Sequence, residues 1–187
     1  MRIVPDTGWY QPISTEAFEA ALHLDDPDDP AALAELFAAA VEMVERGARR
    51  SIGPREVEFV VPFAAWGRWW FPVAPVQAVL SVEVEDEEGE RVALPASAWR
   101  LVRGHDEPQL LRLGPWPAAT QAIVVRARVG FDEAGRSLTL RRAAILLAKE
   151  WLDAGTSAES GIAAPKISFG VERLIRQVRY CRPKEVA

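Results

Sequence analysis

The chain has 187 residues, 49% of them hydrophobic and 26% charged, the balance of one globular domain rather than of a disordered tail. Its net charge of -5 argues against the whole molecule binding nucleic acid nonspecifically, because phosphate contacts need a basic face. Cys181 is the only cysteine, which excludes an intrachain disulfide and a multi-cysteine metal site.

Residues 1–13 contain two Pro and one Gly and show no period. They are expected to form an extended arm, and they carry no apolar signal core. No apolar run is long enough to span a bilayer, so the chain is expected to be made and to stay soluble in the cytoplasm. Ser14 offers a helix cap and Glu16 an acid in the first turn, which predicts a short helix over 14–24 with Phe18, Ala21 and Leu22 on one face. Asp25, Asp26, Asp28 and Asp29, interleaved with Pro27 and Pro30, cannot continue it and read as a turn. Asp29 as cap and Pro30 at the first helical position open a second helix over 30–50. Leu33, Leu36, Phe37, Ala40, Val41, Val44 and Ala48 recur on it at steps of three and four. Burying four large side chains of that stripe contributes about 6–12 kcal/mol before entropy is subtracted.

From Arg55 the period changes to two. Val57, Phe59, Val61 and Phe63 alternate with Glu56, Glu58 and Val60, as in a half-buried antiparallel strand. Residues 77–85 and 91–94 flank Asp86-Glu87-Glu88-Gly89, which predicts a hairpin with glycine at its turn. Residues 99–102, 109–113 and 122–129 are further strand candidates, punctuated by Pro108, Pro115 and Pro117. Helical period returns at Ser137, with Leu140, Ala143, Ala144, Leu147, Ala148 and Trp151 on one face up to about residue 154. Residues 156–165 are rich in Ser, Ala and Gly and are expected to be mobile. A last helix is predicted over 171–180. The fold class is therefore α+β: a small helical bundle formed by N- and C-terminal helices, with an antiparallel β insert over 55–130 between them. The division is an arm over 1–13, a domain over 14–165 and a C-terminal arm over 166–187.

Candidate chemistry is sparse. His23 sits at a helix end and His105 in a turn beside Asp106; a catalytic base needs a nucleophile or substrate within hydrogen-bond reach, and none is suggested. Cys181 lies beside Arg182, which can depress a thiol pKa, but a passive thiol near the end of the sequence is the better reading. The aspartates of 25–29 lack the spacing, glycine and closing glutamate of a calcium loop. Glu83, Glu85, Asp86, Glu87, Glu88 and Glu90 crowd the hairpin, either as a guard against edge aggregation or as an acidic contact patch. Neither GxGxxG nor GxxxxGK[ST] occurs. No catalytic, cofactor or metal residues are assigned, and the chain is read as not an enzyme.

Two groups remain as contact candidates. Trp66, Trp69, Trp70 and Phe71 form the densest aromatic cluster, suited to the core or a subunit interface and less to stacking on bases or sugars. Arg173, Arg176, Arg179 and Arg182 recur every three residues beside the apolar series Val171, Leu174, Ile175 and Val178. Residues 166–187 carry six basic and two acidic side chains, +4, which leaves -9 for the remainder. A detachable amphipathic arm of this kind fits a partner's groove or a basic surface facing phosphate, and its deletion is expected to leave a folded domain.

Taken in order, the two helices over 13–50, Phe71-Pro72-Val73-Ala74-Pro75-Val76 leading into Val79-Leu80-Ser81-Val82, the acidic Gly hairpin, Val125-Arg126-Ala127-Arg128-Val129-Gly130-Phe131 and the helix over 140–151 resemble the head-to-tail connector (adaptor) proteins of long-tailed phages. The resemblance covers about residues 13–182, and the Ala- and Arg-rich composition also suits gene transfer agents of high-GC bacteria. It implies a self-assembled ring of twelve copies under the portal, in the neck of a virion or gene transfer agent particle. The C-terminal arm (Val171, Arg173, Leu174, Ile175, Arg176, Val178, Arg179, Tyr180 and Arg182) would dock into the portal protein. The opposite face would receive a stopper or other neck protein, and the channel would pass DNA without reading its sequence. The family's Tyr-Arg near the end stands here as Tyr180-Cys181-Arg182. The alternatives are another neck component, a stopper or tail terminator, for which a mainly β chain is expected, and a small carbohydrate-binding or hydrolase domain using the tryptophans.

Overall fold

The computed structural model describes residues 2–3, 13–22, 29–64, 66–104, 106–117, 120–132, 137–154 and 167–183. His23, His105, most of the Asp-Pro turn and the Ser/Ala/Gly-rich stretch over 156–165 lie outside these residues.

Each helix begins at a side-chain cap. The Ser14 hydroxyl accepts a hydrogen bond from the Ala17 amide at 3.2 Å and opens α1, Thr15–Leu22. Asp29 accepts from the Ala31 and Ala32 amides at 3.1 and 3.0 Å and opens α2, Pro30–Ala48, with Pro30 in the first turn, where its missing N–H costs nothing. Ser137 caps α3, Leu138–Asp153, and Ser168 caps α4, Phe169–Gln177. The last helix thus starts two residues earlier and ends three residues earlier than its apolar series suggests. One core joins all four helices: Phe18 of α1 stacks on Phe37 of α2 at 4.1 Å, and Val41, Val44, Leu140, Leu147, Val171 and Ile175 pack beside them.

Among the described residues, seven strands between α2 and α3, joined by one from before α1, form two antiparallel sheets. One has β1 (Arg2–Ile3), β2 (Arg55–Pro62), β4 (Val76–Glu85), β5 (Arg91–Ala93) and β8 (Ala122–Val129) in the order β1-β2-β8-β4-β5. The other has β3 (Arg68–Trp70), β6 (Trp99–Val102) and β7 (Gln109–Arg112) in the order β3-β7-β6. The alternation expected of β2 puts Val57 and Phe59 inward against Val125 and Ala127 of β8. The hairpin turn lies between β4 and β5 as expected: Asp86 Oδ1 accepts from the Glu88 and Glu90 amides, and Gly89 takes the positive φ of 81° that the reversal requires. Two short strands escaped the sequence reading. The aromatic cluster contains β3, and the start of the N-terminal arm pairs with β2 through Arg2↔Glu58 and Ile3↔Val57.

The helical core and the sheet core are separate hydrophobic clusters that meet at a polar junction. Glu45 of α2 accepts from the Ile52 amide and pairs with Arg55 at the start of β2. Gly130, at φ 101°, follows β8 and donates its amide to the Pro75 carbonyl at 2.9 Å. Arg50 reaches in two directions, with Nε donating to the Val178 carbonyl after α4 and the guanidinium pairing with Asp106 in the β6–β7 loop. Tyr180 completes the joint: its amide donates to the Ala48 carbonyl at 2.8 Å and its hydroxyl to the Phe71 carbonyl at 2.9 Å. Burial raises the Tyr180 phenol pKa above its ordinary value, with nearby Arg182 opposing the shift.

Candidate assembly surfaces

The C-terminal segment is not the detachable arm that its sequence suggests. Val171 and Ile175 are buried in the helical core, Leu174 and Val178 pack against it, and Tyr180 is buried at the junction. The apolar side of α4 is therefore satisfied by α2 and α3 of its own chain and is not presented to a partner's groove. Ser168 reinforces this attachment by donating to Glu150 of α3 at 2.5 Å.

What α4 presents outward is Arg173, Arg176 and Phe169, with Arg179 exposed in the turn that follows. Phe169 stands four residues before Arg173 and seven before Arg176, so the three share one side of the helix. At 76% exposure, Phe169 is the most exposed large hydrophobic side chain among the described residues. An apolar series that begins at Val171 leaves Phe169 out of the helix; with the helix opening at the Ser168 cap, Phe169 falls opposite the buried stripe. Arg176 is paired with Glu172 at 2.5 Å in an exposed i,i+4 pair, which contributes little stability and leaves the guanidinium accessible.

The aromatic cluster divides by strand parity. Trp69 and Phe71 are 5% and 0% exposed and pack edge-on against Phe59, so they belong to the sheet core and not to a subunit surface. Trp66 is half-buried, 5.4 Å from the Trp116 ring and 6.0 Å from Phe63. Trp70 is half-buried on the other side of β3, with the Arg68 guanidinium 5.4 Å over its ring. Stacking of bases or sugars on Trp69 and Phe71 is thereby removed as a use of the cluster.

The acidic hairpin exposes Glu87, Glu88 and Glu90, and its edge strand β5 is exposed throughout. Among the described residues no group of three or more His, Cys, Asp or Glu side chains is placed to hold a metal ion, and no helix is long and apolar enough to cross a membrane. Cys181 is exposed. The exposed features are a basic helix face with an aromatic at its N-terminal end, an acidic hairpin, and the outer side of the three-stranded sheet.

No family model matches the chain, and no curated protein matches it. Solved structures do. A chain in the neck of an empty gene transfer agent (GTA) particle computed with C6 symmetry superposes with a TM-score of 0.71 at 23% identity, over 92% of each chain. A chain in the virion of a native GTA particle gives 0.72 at 24% identity, again over 92% of each. A chain in the neck of a native GTA particle computed with C12 symmetry gives 0.68 at 24% identity, over 95% of this chain and 97% of that one. The chain has the fold of these particle components over nearly its whole length, with helices flanking a β region of two antiparallel sheets.

Proposed function

We propose that the chain is a structural subunit of the neck of a phage-like particle, either a gene transfer agent or a tailed phage. In this reading its copies close into a ring as the head-to-tail adaptor. One observation carries the reading: the fold is shared with GTA neck chains over 92–97% of both partners. The C6 and C12 symmetry of those necks favours a ring, and twelve copies is the number the C12 neck suggests. Four helices in the described residues weigh against a mainly β stopper or tail terminator.

The portal-facing surface in this reading is the exposed side of α4, with Phe169 at its N-terminal end and Arg173, Arg176 and, past the helix end, Arg179 following it. Exposed aromatic and guanidinium groups are the anchors that protein interfaces favour. The portal would supply acidic groups and an apolar socket; a further neck protein would bind the opposite end of the ring, and DNA would pass through the centre without sequence recognition. The role is scaffolding and needs no catalytic group.

Adding purified chain to isolated portal rings tests this reading. Co-sedimentation is expected for the wild type. Phe169→Ala and Arg173→Glu/Arg176→Glu are expected to lose it while keeping the thermal midpoint, since all three side chains are exposed. Portal binding unchanged in both variants would remove α4 as the docking surface.

A further inference from the structure

The outer side of the three-stranded sheet differs from the rest of the β region in charge. Within β3, Trp69 points into the core, so Arg68 and Trp70 point out. The register Arg68↔Leu111↔Arg100 sets two arginines in one cross-strand row, two strand spacings or about 10 Å apart. Trp70↔Gln109↔Val102 forms the next row, giving apolar and amide surface beside the guanidinium groups. None of the residues of these three strands is acidic.

The five-stranded sheet shows the opposite balance. On its outer side the arginines are engaged: Arg126 and Arg128 with Glu56 at 2.9 and 3.5 Å, and Arg91 with Glu85 at 2.8 Å. The turn beyond β4 adds Glu88 and Glu90, both exposed and neither in an ion pair among the described residues, and Glu87, which accepts from Gln121 at 3.0 Å. The Asp86 side chain fixes this turn through two main-chain hydrogen bonds, so the carboxylates are presented on a preorganised tip. Next to them Val92 is 58% exposed on the edge strand.

We infer that, in the ring, the acidic hairpin of one copy (Glu87, Glu88, Glu90 and Val92) docks on the outer side of the three-stranded sheet of the next copy (Arg68, Trp70 and Arg100). Three observations select a second copy as the occupant. The charges are complementary, and the apolar elements match, Val92 to Trp70. The two sheets pack through their inner sides into one core, so the outer side of the three-stranded sheet faces away from the five-stranded sheet that carries the hairpin. Each copy then offers one patch to each neighbour, a heterologous contact of the kind that closes into a ring when the rotation between copies allows it. This contact rests on the ring reading above and leaves the exposed side of α4 to the portal. It also places Trp70, one of the four clustered aromatics, at the subunit boundary, while Trp69 and Phe71 stay inside.

The test uses the full chain and two exposed charge reversals, Glu88→Arg/Glu90→Arg and Arg68→Glu/Arg100→Glu, followed by sedimentation over a concentration series. The wild type is expected to self-associate, and each variant to do so about tenfold or more weakly, because like charges then face each other. An equimolar mixture of the two variants is expected to recover association, since each presents the charge the other lacks; recovery also shows that both fold. Wild-type-like association of both variants would overturn the contact and leave the ring standing. A wild type that stays monomeric at every concentration, alone and with portal rings, would remove the ring and the contact together. Mixed-sequence duplex DNA provides the other arm: DNA retention lost in Arg68→Glu/Arg100→Glu with self-association intact would assign the face to nucleic acid and overturn the copy-to-copy contact.

Discussion

The hydroxyl of Tyr180 donates a hydrogen bond to the main-chain carbonyl of Phe71 across 2.9 Å. With the Tyr180 amide on Ala48, it ties the end of α4 to both the end of α2 and the sheet core. A residue 109 positions away from its partner thus holds the helical and β parts in one arrangement.

Tyr180→Phe is expected to lower stability by about 1–3 kcal/mol, because the phenyl ring fits the site but leaves a buried carbonyl unpaired. Denaturant titration at neutral pH measures it. The raised phenol pKa adds a sign: the folded state holds the proton more tightly than the unfolded state, so wild-type stability falls as pH rises past the ordinary tyrosine value of about 10. That part of the alkaline loss is expected to be missing in Tyr180→Phe.

Removing residues 167–187 is expected to destabilise the remaining chain by about 3–6 kcal/mol, from the lost burial of Val171, Ile175 and Tyr180 less the entropy regained. A truncated chain with an unchanged thermal midpoint would restore the detachable arm.

Arg50 and Asp106 are expected to be coupled. Arg50→Met loses the ion pair and the bond to the Val178 carbonyl and is expected to cost about 1–3 kcal/mol. Asp106→Asn keeps a residue tolerant of its positive φ of 68° and is expected to cost about 0.5–1 kcal/mol, since Asp106 is half-exposed. A double-mutant cycle by denaturation should show a coupling that shrinks as salt is added.

Gly130→Ala is expected to be among the most damaging small substitutions, costing about 3 kcal/mol or more. The new Cβ would lie 2.0 Å from the Gly53 carbonyl oxygen, at a φ of 101° that alanine resists. Expression level and thermal midpoint report it.

Much of the fold was legible because local rules and packing agree there. Asp29-Pro30 and Ser137 each mark a helix start, and the stripes from Leu33 to Ala48 and Leu140 to Trp151 are the sides that become buried. The hairpin was readable from its glycine. What escaped depends on contacts between distant residues. Three residues of Arg68–Trp70 are too few to show a period, and only pairing with β7 makes them a strand. The series Val171, Leu174, Ile175 and Val178 announced an apolar side without saying that the cover is α2 and α3 of the same chain. Sidedness was equally hidden: Trp69 and Trp70 are adjacent in sequence, yet one fills the core and the other faces outward.

The central claim, a ring-forming neck subunit, is tested most directly by electron microscopy of the purified chain mixed with portal rings. The ring reading requires closed rings of about twelve copies stacked coaxially on one face of the portal. Monomers in the background with both portal faces bare would contradict it.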